Sequence, residues 1–298
     1  MKAKRKALIG KFAPAFTSRL QRSLLRKSPE QRRAKGERMG RLIWRLGKRR
    51  RMRCEANLHM AFPEKSETEI QKIAKETFEH FGRTTVDFLV GLNRTKEELE
   101  SDMEIIGLDN LQNALAEGKG VLLITGHLGH WERCSAWLSL SGFDLAVVAR
   151  NANQDDVNNL INGLREGPGT EVIARGDAAR VILKKLKEGA IVGILPDQNA
   201  DEIFLPFFGH PAGTVLGPGV LHERTGAVVI PVSCMELGGG KYRLEFYERL
   251  LPEPGFETKG EGLMRSIHSW LESVIRQYPN QWLWFHDRWR NARKKGLL

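Results

Sequence analysis

Two hydrophobic periods alternate along this chain. Near the N-terminus Met39, Leu42, Ile43 and Leu46 recur at i, i+3, i+4 and i+7, with Arg38, Arg41, Arg45 and Lys48 between them. That spacing predicts an amphipathic helix with one apolar stripe and a basic face. The helical period continues from residue 66 to residue 93, opened by Ser66 and Glu69 in capping-box spacing. Residues 97–118 read as mainly helical, with a break near Gly107. The pattern then changes. Val121-Leu122-Leu123-Ile124-Thr125 is an unbroken apolar run, as expected of a strand buried on both faces. Further strands are predicted at 144–149, 171–173, 191–195, 227–232 and 242–246, and helices at 154–165, 178–187, 216–225 and 262–277. Strand and helix in alternation predict an α/β fold, a central mostly parallel sheet flanked by helices, preceded by a basic helical N-terminal segment.

Charge divides the chain unevenly. Residues 1–53 hold twenty Lys or Arg against Glu30 and Glu37, a net +18, while the other 245, with 27 basic and 34 acidic residues, are net −7. The expected organisation is therefore a basic amphipathic membrane-surface segment over 1–53 and a catalytic domain over 54–298, with a helical lead-in (54–118) and an α/β core (119–298). A basic amphipathic helix suits an anionic lipid surface. Packing of that helix on its own domain is the plainer alternative, and nucleic acid is disfavoured because no docking motif is present. No run of 18 apolar residues occurs, so no transmembrane helix is expected. The N-terminal apolar stretches, interrupted by Lys11, Arg19, Gln21 and Arg22, do not read as a signal peptide. The chain is expected to stay in the cytoplasm. Cys54, Cys134 and Cys234 form no CxxC pair and read as small buried apolar residues in a reducing compartment. No metal site is expected.

The chemistry concentrates after the first buried strand, in Gly126-His127-Leu128-Gly129-His130-Trp131-Glu132. Catalytic groups of open α/β sheets gather at the carboxyl ends of strands. On one continuous helix residues 127 and 132 would lie about 140° apart. Gly126 and Gly129 permit a tight turn instead, with a helix starting near His130 and His127 folding back toward Glu132. A carboxylate on one imidazole nitrogen fixes the tautomer, and the other nitrogen takes a proton from a hydroxyl. Taken alone, His127 reads equally as a hydrogen-bonded strand-end histidine. No GxSxG elbow is present, so the pair suits direct transfer of an activated acyl group to a hydroxyl, without a protein nucleophile.

The His-(four residues)-Glu pattern resembles the lysophospholipid acyltransferase superfamily, and five ordered blocks resemble its late lipid A acyltransferase branch, which includes mycobacterial phosphatidylinositol mannoside acyltransferases. The blocks are Asn57 to Glu64 (NLHMAFPE), Gly126 to Glu132, Val192 to Gln198 (VGILPDQ), Pro206 to Ala212 (PFFGHPA) and Tyr278 to Trp289 (YPNQWLWFHDRW). The resemblance implies His127 as base and Glu132 as its partner, with Arg150, Arg165 and Asp197 facing the substrate. It implies transfer from an acyl carrier protein or coenzyme A thioester to a hydroxyl of a lipid A precursor or related glycolipid or lysolipid, without a resident cofactor. The implied place is the cytoplasmic face of the bacterial inner membrane, and the short, charged and interrupted N-terminal stretches point to peripheral attachment there. A thioesterase or lipase using the same dyad, or a non-catalytic protein of anionic membranes, is the alternative. Two departures stand out: the branch's lipid A members begin with a clear spanning helix, and they commonly carry Asn at the position of His130. Trp282, Trp284, Trp289, Arg288 and Arg290 fit either a lipid-interface anchor or packing, with packing preferred for Trp282 and Trp284.

Overall fold

The computed structural model describes residues 19–91, 94–149, 155–174 and 178–298. A helical stretch over 19–25 leads into α1 (Pro29–Leu46), and α2 (Lys48–Ala61) and α3 (Glu67–Val90) follow. Capping boxes at Ser28 with Gln31 and Ser66 with Glu69 satisfy the first orphan amides of α1 and α3. α1 crosses α3 through glycine: a Cβ on Gly40 would stand 2.2 Å from the Phe78 carbonyl oxygen, and one on Gly82 2.2 Å from that of Gly36. The face of α1 that packs is thus Gly36, Gly40 and Trp44, while Leu42, Ile43 and Leu46 of the apolar stripe point outward. Residue 53, where the basic composition ends, lies in the middle of α2.

Next come α4 (Lys96–Glu100), β1 (Met103–Ile106), α5 (Leu108–Ala116), β2 (Val121–Ile124), α6 (Trp131–Leu140), β3 (Leu145–Ala149), α7 (Asp155–Glu166), β4 (Glu171–Ala174), α8 (Ala178–Lys187) and β5 (Ile191–Ile194). The chain continues as β6 (Ile203–Phe207), β7 (His210–Thr214), α9 (Gly217–Thr225), β8 (Val228–Gly238), β9 (Lys241–Phe246), α10 (Glu261–Gln277) and α11 (Arg290–Lys294). Seven strands form one sheet in the order β1-β9-β8-β2-β5-β3-β4. Every neighbouring pair is parallel except β8–β9. The α/β architecture with a mostly parallel sheet is therefore as the alternation predicts. On one face, Leu122, Ile124, Val192 and Val229 pack with α10 and with Trp282 and Trp284. On the other, Val121, Leu123, Leu145, Ile191 and Val232 pack with Cys134, Trp137 and Leu138 of α6.

Two elements differ from the sequence reading. The stretch 97–118 contains a strand, β1, between two short helices, and Gly107 at φ 66° turns the chain out of it. Four residues, Met-Glu-Ile-Ile, are too short to establish a period. The PFFGHPA block is a hairpin, β6–β7. Its two prolines hide the strands, and its turn residues, Phe208 (φ 50°) and Gly209 (φ 74°), are both left-handed, the geometry that two-residue hairpins favour. A buried Phe held there costs about 1–2 kcal/mol. Its amide donates to Glu272 Oε1 at 2.7 Å, and its ring packs on Phe62 and Phe207. All three cysteines are buried and free.

Candidate active site

β2 and β5 are adjacent and in register, Ile124 beside Ile194. Their carboxyl ends therefore deliver two segments to one place: Thr125-Gly126-His127 from β2, and Leu195-Pro196-Asp197-Gln198 from β5. His127 Nδ1 lies 2.8 Å from Asp197 Oδ1, and the His127 amide donates to Oδ2 at 2.8 Å. Trp282 Nε1 donates to the same Oδ2 at 2.9 Å. Asp197 is only 2% exposed. Burial alone would raise its pKa, but the adjoining His127, with hydrogen bonds from its ring, its amide and Trp282, holds the carboxyl below the usual carboxylate range. An ionised Asp197 accepts from Nδ1–H and leaves the lone pair on Nε2. Gln198 Nε2 stands 3.2 Å from that nitrogen.

The local sequence explains the arrangement. A Cβ on Gly126 would lie 3.2 Å from Asp197 Oδ2 and within 3.0 Å of the Leu128 and Leu271 side chains, so glycine makes room for the carboxylate. Gly129 turns at φ 56°, where a Cβ would meet the Cys234 carbonyl oxygen at 2.2 Å. Residues 281–283 run alongside this turn. Gly129 N donates to Gln281 O at 2.8 Å, Leu283 N donates to His127 O at 3.1 Å, and Leu128 bridges Trp282 antiparallel.

His130 caps α6, its Nδ1 accepting from the Arg133 amide at 3.2 Å, with Nε2 2.9 Å from Asp87. The helix starts where the sequence predicts, but it carries Glu132 away from His127 and toward α7. Arg165 Nε donates to Glu132 Oε2 at 3.0 Å, and Trp131 Nε1 donates to Oε1 at 3.0 Å. Burial works against the Arg165 charge, but the contact with Glu132 overrides it and raises its pKa. One expectation is thereby corrected. The carboxylate bonded to His127 is Asp197 rather than Glu132, because neighbouring strand ends bring them together whereas the axis of α6 separates 127 from 132. Asp197 stands behind the imidazole, with both oxygens engaged by His127 and Trp282. Arg150 lies outside the described residues.

His127, Glu132, Arg165 and Gln198 share one cavity of about 400 Å³. Inward from this polar rim its wall is apolar, formed by Leu123, Leu138, Leu145, Val147 and Val232. Cys134 also faces it, its thiol pushed well above its ordinary pKa by burial, which makes it neutral wall rather than nucleophile. Among the described residues no group of three His, Cys, Asp or Glu could hold a metal ion. Sequence reading missed Gln198 and Trp282 as site residues. It also left Arg288 open. Arg288 is buried and, among the described residues, has no carboxylate partner; it is bonded to Gly213 O, Thr214 Oγ1 and His268 Nε2, and burial lowers its pKa to about 10. Trp282, Trp284 and Trp289 are all core.

A family profile described as bacterial lipid A biosynthesis acyltransferase matches residues 17–291. A lipid A biosynthesis acyltransferase of Haemophilus influenzae is 25% identical over 262 residues, 87% of this chain and 81% of the relative. The lipid A biosynthesis palmitoleoyltransferase of Escherichia coli is 27% identical over 260 residues, 86% and 83% of the two chains. A phosphatidylinositol mannoside acyltransferase of Mycobacterium tuberculosis is 28% identical over 221 residues, 72% and 69% of the two.

Proposed function

Because the chain belongs to the bacterial lipid A biosynthesis acyltransferase family, we propose that it moves a fatty acyl group from an acyl carrier protein or coenzyme A thioester to a hydroxyl of a lipid A precursor or related glycolipid or lysolipid. One observation carries this reading: an imidazole with an ionised, buried carboxylate on Nδ1 and its Nε2 at the mouth of an apolar cavity. The acyl chain lies along the cavity with its carbonyl at the rim. The acceptor hydroxyl replaces the Gln198 amide at Nε2 and gives its proton to the ring as its oxygen attacks the acyl carbon. Asp197 fixes the tautomer and stabilises the imidazolium. Collapse of the tetrahedral adduct breaks the C–S bond, and the departing thiolate takes the proton from Nε2, returning the ring to its starting state. Glu132 acts on the chemistry through Arg165, holding the guanidinium at the rim, where it neutralises the developing oxyanion or a phosphate of the acceptor.

The same reading places the protein at a lipid surface. Leu42 is 55% exposed, Leu46 77% and Met52 55%, and Arg41, Arg45, Arg49 and Arg50 are exposed beside them. An outward apolar stripe within a basic face suits the headgroup layer of an anionic membrane. Among the described residues no helix is long and apolar enough to cross a membrane, in keeping with peripheral attachment to the cytoplasmic face of the inner membrane.

The test uses the full chain with an acyl thioester and a lipid A precursor, with product followed by mass spectrometry. Transfer should occur and should fall about 10²–10⁴-fold in His127→Ala, with the thermal midpoint little changed. Acyl release without acylated lipid would assign hydrolysis instead, and full transfer by His127→Ala would remove the mechanism.

A further inference from the structure

Parallel strands buried on both faces are filled with branched apolar residues, yet β5 reads Ile-Val-Gly-Ile. Gly193 lies level with Leu123 of β2 and Val147 of β3, and all three face the cavity. The rung beneath is complete, with Ile191 beside Val121 and Leu145. At the other tightly packed glycines the missing side chain has a local cause. A Cβ would meet backbone at 2.2 Å on Gly129, 2.4 Å on Gly120 and 2.0 Å on Gly213. Gly193 has neither a left-handed φ nor such a clash. The nearest atoms to a Cβ there are Val147 Cγ1 at 3.2 Å and Leu145 Cδ1 at 3.7 Å. A glycine inside a strand with no bulge and no close backbone marks the approach of a ligand.

We propose that Gly193 sets the length of the alkyl chain this protein accepts: its missing side chain is the deep end of the cavity, and Leu138 and Leu145 close the space beyond it. The proposal rests on the reading of the cavity as the acyl site. Leu138 is fully buried and Leu145 nearly so, which makes them a floor rather than an outlet. Any side chain at 193 projects into the path of the alkyl tail and removes room for its last carbons, while the rim around His127 is untouched.

The experiment measures binding of octanoate, dodecanoate and hexadecanoate to the full chain by displacement of a fluorescent fatty acid, and in parallel the transfer of the matching acyl thioesters. In Gly193→Ala, and more so in Gly193→Val, the ratio of hexadecanoate to octanoate affinity should fall roughly tenfold or more, the scale of one methylene in a closed apolar pocket. Leu138→Ala should move the ratio the other way. Should Gly193→Val not fold, the alanine variants carry the test. A ratio within twofold of the parent in both alanine variants overturns the proposal, as does an equal loss at every length. Chain-length selectivity in binding with no transfer from any thioester would leave Gly193 as the ruler and remove the acyltransferase reading instead.

Discussion

His127 and His130 stand three residues apart, and each faces a carboxylate, Asp197 at 2.8 Å and Asp87 at 2.9 Å. Yet they are different devices. His130 spends Nδ1 on the α6 cap and directs Nε2 at Asp87, with its side chain 2% exposed. His127 gives Nδ1 to Asp197, keeps 22% of its side chain exposed and presents Nε2 to the cavity, where its neighbour is the part-buried Gln198 amide. A histidine–carboxylate pair is therefore uninformative by itself. What separates chemistry from architecture is whether the second nitrogen has somewhere to deliver a proton.

The strongest way to break this comparison is to remove the charge behind the working ring. Asp197→Asn keeps the shape but no longer favours the Nδ1–H tautomer, and kcat should fall about 10²–10⁴-fold with little change in KM. A loss confined to KM would return Asp197 to substrate binding.

An intermediate effect is expected from acid, through other histidines, one buried and one half-buried. Burial lowers the pKa of His268 to about 3 and of His286 to about 4. Both stay neutral in the fold, whereas the unfolded chain protonates them near pH 6.5. The unfolded state thus binds more protons below pH 6.5, and stability falls by about 1.4 kcal/mol per pH unit for each. Glu236 shifts by a different route. Burial would raise its pKa, but His80 and Arg83 bring it down to about 2. Its stabilisation is present above the ordinary carboxylate pKa and is lost as pH falls from about 4.5 toward 2. Urea unfolding at pH 7.5 and pH 5 measures the first window, and equal stability at the two would contradict it.

The smallest effect sharpens the architectural side. His130→Ala should cost about 1 kcal/mol of stability through the lost cap, and His130→Asn only a few tenths, since Asn caps well. Rate constants per folded molecule should stay close to the parent in His130→Asn. A loss as large as that of Asp197→Asn would make the two histidines equivalent after all.

Much of the fold was legible because burial on both faces writes itself as an unbroken apolar run: β2, β3, β5 and β8 are visible in that way. β1 was not, since Met-Glu-Ile-Ile is neither an unbroken apolar run nor long enough to show a period, nor were β6 and β7, whose prolines read as loop. The site was half legible. Gly126, His127 and the start of α6 at His130 follow from local rules. The partner of His127 does not, because Asp197 is seventy residues on, and only the adjacency of β2 and β5 unites them. Asp197 at the end of a buried strand was the signal. Its use required strand order, which hydrophobic periodicity does not encode.

Residues 281–283 pin the turn that carries His127, and Trp282 supplies one of the bonds to its carboxylate. The loop that carries His127 is thus finished by a part of the polypeptide made more than 150 residues after it. The turn is completed only when this tryptophan-rich stretch folds back, so a product terminated before it loses the packing on one face of the sheet and the support of His127 together.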